Sequence, residues 1–414
     1  MLRSYVILAW RILGRRPFFT FVSLFGISLT LVVLMLATAF LDHAFGARAP
    51  EVNTDRMLGV FQIELIGEQS QYRGEAGYSV LAPLRDIDLA EEVSVGTVPR
   101  AAVTFVDGQK VSLAMRWVDG EFFRVFQYEF LEGGPFTDQD DAEARPVAVI
   151  NHETRRRVFG DEEAIDGSIE IDGRTFRVVG VVENVPAFRP ASFADVWVPI
   201  STSKTDAYLE GLYGSFQGFF VAPNRDRMPA LREEILTRLA EVDVSTEEDY
   251  DRLHANVETT FDALARELLS VPSEGGSSPG MAMRWLILGL ALLFMALPSL
   301  NLINLNMSRI LERASEIGVR KSFGASSRTL VTQFVIENIL LTLIGGVVGL
   351  VLATLALHLV SGTALVSYAE LGLNPTIFTW GILITLAFGL LSGAYPAWRM
   401  SRLHPRQALA ESGS

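Results

Sequence analysis

Residues 314–325 read Ala-Ser-Glu-Ile-Gly-Val-Arg-Lys-Ser-Phe-Gly-Ala, a short charged segment between two long apolar runs. Glu316 and Arg320 lie four residues apart, in the acid-first order that supports one helical turn. Apolar side chains around them follow helical spacing on another face, and Gly324 is placed to end the turn. The pattern predicts a small amphipathic helix at a membrane surface, with an apolar face for a partner. It also fits a loop that only carries positive charge for topology.

Four uncharged runs are each longer than the roughly 20 residues that a spanning helix needs. The first run is too long for the apolar core of a signal peptide, so we interpret it as a retained anchor. We therefore predict four membrane-spanning helices. The four runs are Phe18–Leu41, Trp285–Ser308, Asn338–Ala369 and Leu371–Trp398.

Lys and Arg residues near the ends of the spans indicate their orientation. These residues cluster before span one, between spans two and three, and after span four, whereas the segment between spans three and four has none. Both termini and the charged connector are therefore predicted to be cytoplasmic. The basic residues are Arg3, Arg11, Arg15 and Arg16, then Arg309, Arg313, Arg320, Lys321 and Arg328, and finally Arg399, Arg402 and Arg406.

Residues 43–283, which this topology places outside, contain 22 Lys and Arg against 42 Asp and Glu, a net charge of −20. A domain this acidic is expected to be soluble and not to bind nucleic acid or an anionic lipid surface. The chain has no cysteine, which excludes a disulfide framework and a thiolate site.

The outer segment mixes strand and helix patterns. Asp107-Gly108 and Asp172-Gly173 each separate two short apolar runs, which predicts two β-hairpins. We predict an α+β membrane protein whose large two-lobed outer domain is inserted between helices 1 and 2. Predicted strands are Leu58–Leu65, Ala101–Val106, Val111–Trp117, Val147–Ile150, Ser168–Ile171, Thr175–Val182, Val196–Ile200 and Phe216–Ala222, and predicted helices are Glu121–Phe126, Glu153–Phe159, Met228–Val242 and Asn256–Leu269.

These boundaries divide the whole chain. The division is 1–16 cytoplasmic amphipathic helix, 17–42 first span, 43–283 outer domain with an inserted lobe at about 118–200, 284–308 second span, 309–328 cytoplasmic connector, 329–360 third span, 361–376 outer loop, 377–398 fourth span and 399–414 cytoplasmic tail.

Small residues four apart in the later apolar runs favour close packing of helices. The pairs are Gly345 with Gly349 and Gly389 with Gly393. Because glycine has no side chain, such a pair allows two helix backbones to touch. This spacing is common in membrane spans and points only weakly to dimerisation.

The chain lacks the motifs of the common catalytic sites. It contains no Gly-x-x-x-x-Gly-Lys-Ser/Thr loop and no Gly-x-Ser-x-Gly elbow, and its five histidines lack metal-ligand spacing. The acidic cluster Asp138-Gln139-Asp140-Asp141 lacks the central glycine of a strong calcium loop. We therefore expect no catalytic residue and no cofactor bound by this chain.

The segment Glu316–Ala325, the pair Gly345-Gly346, and the closing Pro396–Arg399 with Pro405–Leu409 together resemble the MacB/FtsX-type (type VII) ABC transporter permeases. The usual motif of that family is similar to REIGxRKALGA, with a PAxxAxxxxPxxAL tail. In the outer segment, residues 177–186 (RVVGVVENVP) and 195–200 (DVWVPI) resemble the MacB-like extracytoplasmic core domain.

The resemblance implies that the connector is a coupling helix, which docks on a cytoplasmic ABC ATPase dimer supplied by another chain. Ser322 and Phe323 stand where the family often has Ala and Leu. The family MacB has an ATPase fused before its first span, whereas this chain begins almost at the span. The motif positions carried over are Glu316, Ile317, Gly318, Arg320, Lys321 and Gly324.

The resemblance further implies ATP and Mg on the partner ATPase, a second permease copy as a homodimer or heterodimer, and mechanotransmission from the ATPase to the outer domain. It leaves open a periplasmic adaptor and an outer-membrane channel. The expected function is that of a non-catalytic permease subunit in the cytoplasmic (inner) membrane, for export or extraction of a substrate.

One alternative is a membrane-anchored regulator or scaffold that controls an extracytoplasmic protein without moving cargo, as FtsX does. The missing motifs disfavour an outward-facing enzyme.

Overall fold

The computed structural model of the protein describes residues 17–245, 247, 249–272, 278–312, 327–361, 378–383, 386–387 and 390. The chain divides into a helical unit, formed mainly by the residues before His43 and after Arg284, and an α+β domain formed mainly by His43–Arg284.

The helices and strands of the described residues follow in chain order. The α-helices are α1 (Pro17–Phe45), α2 (Tyr78–Leu81), α3 (Phe122–Val125), α4 (Asp138–Ala142), α5 (His152–Phe159), α6 (Met228–Ala240), α7 (Thr260–Leu269), α8 (Pro279–Glu312) and α9 (Ser327–Ser361). The strands are β1 (Met57–Ile66), β2 (Gln71–Gly74), β3 (Glu92–Thr97), β4 (Arg100–Val106), β5 (Gln109–Val118), β6 (Phe130–Gly133), β7 (Val147–Asn151), β8 (Ser168–Ile171), β9 (Arg174–Val182), β10 (Val196–Pro199), β11 (Phe216–Val221) and β12 (Arg252–Glu258).

Two helices of the described residues are long and apolar enough to cross a membrane. They are Thr20–Phe45 within α1 and Val335–Val360 within α9. Helix α8, which contains the predicted second span, contributes a shorter apolar stretch, Pro279–Phe294. The predicted fourth span lies largely outside the described residues, so four spans remain a prediction.

Helices α1 and α9 approach each other through small residues. The Ser28 hydroxyl donates a hydrogen bond to the Gly345 carbonyl oxygen at 3.0 Å. A Cβ atom added at Gly345 would lie 2.8 Å from Ile27 Cγ2, and one added at Gly349 would lie 3.0 Å from Leu31 Cβ. Both distances are too short for an unstrained contact, so glycine is needed for this helix spacing.

The strands of the α+β domain form one hydrogen-bonded path in the order β12-β1-β11-β3-β5-β10-β7-β9-β6, with β2, β4 and β8 paired at its sides. Both predicted hairpins are confirmed, since β4 pairs with β5 and β8 with β9. Asp107 and Asp172 have φ near +50°, and each is followed by a glycine with φ near +77°. Two consecutive positive φ values are what a tight hairpin turn requires.

Strand pairing divides the domain into two lobes, as predicted for this α+β fold. The first lobe contains β12, β1, β2, β11 and β3, and the second contains β4 to β10. We group β4 with the second lobe because β5 pairs with both β4 and β10. The bounds of the inserted lobe, about 118–200, stay a prediction. The lobes also share one ladder rather than forming separate sheets, since Gly96 of β3 pairs with Val118 of β5.

An aromatic cluster packs the two lobes together beside this pairing. Phe122 of α3 and Phe126, which follows α3, contact Phe219 of β11, with ring centroids 6.1 and 5.0 Å apart. Tyr128 contacts Trp197 of β10 at 5.1 Å. Because complete burial of such a side chain contributes about 1.5–3 kcal/mol, this cluster holds the lobes as one body.

The predicted helix Asn256–Leu269 is wrong at its start. Residues 256–258 belong to β12, which pairs along β1, and α7 begins at Thr260 after Thr259, whose hydroxyl accepts a hydrogen bond from the Asp262 amide. Residues 256–258 continue the helical sequence pattern of α7, but their pairing with the distant strand β1 decides their conformation. The prediction also missed β2, β3 and β6.

Asp119 is buried where the two lobes meet. Its Oδ1 accepts a hydrogen bond from the Ser94 hydroxyl at 2.6 Å, and its Oδ2 accepts one from the Val95 amide at 2.8 Å. Burial raises the pKa of Asp119 to about 7, and the charge of Glu121 adds to this increase, against a smaller lowering by Arg85.

This pKa predicts that Asp119 lowers the stability of the domain as pH rises from about 4 to about 7. Over that window the unfolded chain has lost the proton while the folded domain still holds it, so rising pH favours unfolding. Asp119→Asn removes this titration. The unfolding temperature of the variant minus that of the natural chain should therefore be larger at about pH 8 than at about pH 5.5. A difference that is the same at both pH values would contradict the shift.

The contact between α1 and α9 predicts that three neighbouring glycines tolerate substitution by alanine to different degrees. Gly345→Ala and Gly349→Ala should each destabilise the detergent-solubilised chain by about 1–3 kcal/mol, the usual cost of overpacking. Gly346→Ala is the matched control, because its Cβ would lie 3.9 Å from Leu31 Cδ1, an ordinary contact. The thermal aggregation temperature of each variant is compared with that of the natural chain. An equal decrease in all three variants would contradict the close contact at Gly345 and Gly349.

Candidate functional site at the two connections of the α+β domain

The predicted coupling residues lie outside the described residues. This applies to Glu316, Ile317, Gly318, Arg320, Lys321 and Gly324, and also to the packing pair Gly389 and Gly393. Of the predicted site residues, Gly345 and Gly349 are described, and both lie at the contact between α1 and α9. The strongest functional geometry in the described part is elsewhere, where the chain enters and leaves the α+β domain.

Arg189 holds the segment by which the chain enters the domain. It lies between β9 and β10 and is only 2% exposed. Its guanidinium donates hydrogen bonds to three backbone carbonyl oxygens, those of His43 at 2.8 Å, Gly46 at 2.9 Å and Arg48 at 3.2 Å. The carbonyl groups at the end of a helix lack partners within the helix, and Arg189 supplies donors where α1 ends.

Glu51 completes this contact, which we call the N-terminal anchor (Arg189, Glu51 and Ser192). Ser192 donates a hydrogen bond to Glu51 Oε1 at 2.6 Å, and Arg189 Nη1 lies 3.9 Å from Glu51 Oε2. Burial raises the pKa of the Glu51 carboxyl, which the Ser192 hydrogen bond and the charge of Arg189 partly offset. Removing one partner of a buried pair of this kind strongly destabilises the fold, because the other charge is left buried and uncompensated. The pair therefore holds the segment 43–51 against the loop that carries Arg189 and Ser192.

Arg116 supports the same loop from the other side. It is fully buried, and it donates hydrogen bonds to the backbone carbonyl oxygens of Thr97, Pro190 and Ala191. Its guanidinium carbon lies 5.3 Å from the centroid of the Phe122 ring. Burial lowers the pKa of Arg116 to about 10, so it remains charged at neutral pH.

A second buried pair, Glu258 with Arg266, holds the segment by which the chain leaves the domain. Arg266 Nη2 and Nε lie 2.9 and 3.1 Å from Glu258 Oε2, and Arg266 Nη1 donates to the Pro272 carbonyl at 2.9 Å. Both side chains are at most 11% exposed. Glu258 ends β12, so this pair fixes α7 and the chain beyond it to the sheet.

Asp262 continues this contact to α8, and we call Glu258, Arg266 and Asp262 the C-terminal anchor. Asp262 Oδ1 accepts a hydrogen bond from the Gly280 amide at 3.1 Å. The ring of Phe261 lies 5.1 Å from the ring of Phe45 and 5.2 Å from the guanidinium of Arg284. The two connections of the domain therefore meet at one aromatic side chain.

The polar groups of the two anchors serve one another and the backbone of the two connections. No group of three or more possible metal ligands occurs in the part of the chain that the structure describes. Sequence reasoning missed the anchors. The resemblance covers residues 177–186 and 195–200, on either side of Arg189, and a single arginine between prolines gives no sign of its distant partners.

Comparison with known proteins identifies two families along the chain. Residues 20–238 match the MacB-like periplasmic core domain, and residues 288–405 match the FtsX-like permease C-terminal domain. The first match covers the N-terminal anchor, and the second covers the predicted coupling residues, whereas the C-terminal anchor lies between the two matches.

Individual relatives are distant. The chain is 24% identical over 301 residues to the macrolide export ATP-binding/permease protein MacB of Pasteurella multocida, covering 73% of this chain and 43% of that protein. It is 24% identical over 306 residues to the uncharacterized ABC transporter permease YknZ of Bacillus subtilis, covering 73% and 70%. The chain thus spans less than half the length of the first of these relatives.

Among solved structures, the periplasmic region of MacB from Actinobacillus actinomycetemcomitans matches with a TM-score of 0.37 and 13% identity, over 52% of this chain and 94% of that one. On the two family matches, the chain belongs to the MacB/FtsX-type ABC transporter permeases.

Proposed function

We propose that this chain is the permease subunit that converts the motion of a cytoplasmic ABC ATPase dimer into movement of its extracytoplasmic core domain, for export or extraction of a substrate. ATP hydrolysis, with Mg, takes place on a separate ATPase chain. A second permease copy completes the membrane unit, the chain crosses the inner membrane several times, and both termini are cytoplasmic. Family membership and the architecture of the α+β domain support this proposal.

The observation that carries the proposal is the pair of anchors. A domain that follows a membrane helix needs stiff attachments, since a flexible linker would absorb the displacement. Here each connection is held by a buried arginine, Arg189 or Arg266, whose bonds satisfy backbone or carboxylate groups. The aromatic cluster between the lobes then carries a displacement at either connection to the whole domain.

Docking at the coupling segment is tested by reversing its two central charges. The double variant Arg320→Glu with Lys321→Glu should keep its folding but lose most of the stimulation of the co-purified ATPase, because acidic side chains at the contact repel the same partner surface. Stimulated ATP hydrolysis of the complex in lipid nanodiscs is the measurement.

Arg402→Glu, a charge reversal in the predicted cytoplasmic tail, is the matched control and should retain stimulation. Full stimulation and full transport by the double variant would show that the docking assignment is wrong. A complex that stimulates and moves its outer domain but transfers no cargo would favour the regulator alternative.

The N-terminal anchor predicts a different defect. Arg189→Gln removes at least two of the three donors to the backbone after α1, so amide hydrogen exchange in residues 43–51 should rise while ATPase stimulation persists. With Lys110→Cys as a spin-label site in a chain without native cysteine, the ATP-dependent change in distance between labels on the two copies should shrink.

Arg238→Gln is the control, because Arg238 donates to Glu234 and the Asp86 carbonyl at the domain surface and touches neither anchor. It should leave both the exchange and the distance change intact. If Arg189→Gln shows the full ATP-dependent distance change, the anchor does not transmit the motion.

A further inference from the structure

A cleft of about 530 Å³ is lined by residues of α7, β1, β2 and β12 and of the loop between β9 and β10. Glu258 and Arg266 of the C-terminal anchor form part of its wall, but the coupling proposal assigns no ligand to it. Its volume lies within the roughly 300–1,000 Å³ of ligand-binding pockets. Apolar side chains form part of the lining, and polar side chains from the strands form another part. The apolar members are Phe45, Phe61, Phe188, Pro190, Ala191, Ala263 and Leu264.

A β-bulge aims two consecutive side chains into the cleft. The pairing of β1 with β12 shifts register between Val60 and Ile63, and Phe61 and Gln62 both line the cleft. On a regular strand these neighbours would point to opposite faces of the sheet. Bulges occur preferentially beside functional sites because they redirect side chains in this way.

Three polar side chains of the lining, Gln62, Asn256 and Thr260, make no side-chain hydrogen bond to any other residue that the structure describes. The Thr260 hydroxyl oxygen is buried without a partner within the same residues. Each carboxamide presents both a donor and an acceptor. The set therefore matches a ligand that carries N–H and C=O groups of its own.

The charges of the lining disfavour an anionic ligand. Arg266 is already neutralised by Glu258. Glu75 and Glu267 add two further carboxylates against the single cation Arg73. The acidic charge of the whole domain acts in the same direction.

We propose that this cleft binds a peptide-like ligand, an uncharged or cationic segment that carries amide groups and an apolar or aromatic side chain. The apolar side chain packs against the phenylalanine rings, and the amide groups of the ligand bond to Gln62 and Asn256. This site goes beyond the coupling function and does not depend on it.

The absence of native cysteine allows a direct test on the full detergent-solubilised chain. Ala263→Cys places one thiol in the cleft wall, for exchange with three disulfide probes at a fixed thiol ratio. The probes carry N-acetylphenylalanine amide, a phenylpropyl group without an amide, and N-acetylphenylalanine with a free carboxylate. The fraction of each probe retained is read by intact-protein mass spectrometry.

The amide probe should be retained about fivefold to tenfold more than either other probe, the difference that one or two hydrogen bonds make. Ala240→Cys, on the exposed end of α6, is the control and should show no preference. Adding Gln62→Met and Asn256→Leu to Ala263→Cys should abolish the preference for the amide over the phenylpropyl probe.

Equal retention of the three probes at Ala263→Cys, or a preference for the carboxylate, would overturn the proposal. If Ala263→Cys does not fold, Leu264→Cys on the same wall serves as the second reporter and is judged by the same outcomes. The test requires no ATPase partner, so its failure would leave the coupling proposal untouched and is distinguishable from failure of that proposal.

Discussion

Burial of one guanidinium group against backbone carbonyls is the constraint on which the attachment of the α+β domain depends. Removing a charged group from water costs several kcal/mol unless hydrogen bonds replace the lost hydration. For Arg189, hydrogen bonds offset this free energy only if the carbonyl oxygens of His43, Gly46 and Arg48 stay in place. The contact therefore fixes the path of the chain after α1, and it does so through a loop whose two flanking strands are buried in the second lobe.

The other connection uses the same physical solution in the other lobe. Arg266 satisfies Glu258 at the end of β12, an edge strand of the first lobe. The two connections are fixed to different lobes. Movement of one connection relative to the other would therefore pull the lobes apart if nothing held them together. The aromatic cluster around Phe122 and Phe219 and the shared strand ladder oppose that separation. The two lobes and the two connections are therefore held together as one body.

Local features of this fold were predictable from sequence, whereas its long-range contacts were not. The Asp-Gly pairs predicted both hairpins because a tight turn requires φ > 0 at adjacent positions, which is a local demand. The last three residues of β12 were predicted as the start of a helix, because their strand conformation comes from pairing with the distant strand β1. Arg189 and His43 are 146 residues apart, and no spacing rule connects them. The coupling motif was recognisable by resemblance, since its residues are contiguous.

The choice of arginine at both anchors follows from the number of acceptors that one side chain must serve. Three carbonyl groups converge on Arg189, and a carboxylate and a carbonyl converge on Arg266. A guanidinium offers five N–H donors in a fixed plane, whereas the ammonium of lysine is a compact, strongly hydrated charge that resists burial. Because the plane of the guanidinium is rigid, its bonds to several acceptors must shift together. That property makes each anchor a stiff link in a chain of contacts rather than a set of independent hydrogen bonds.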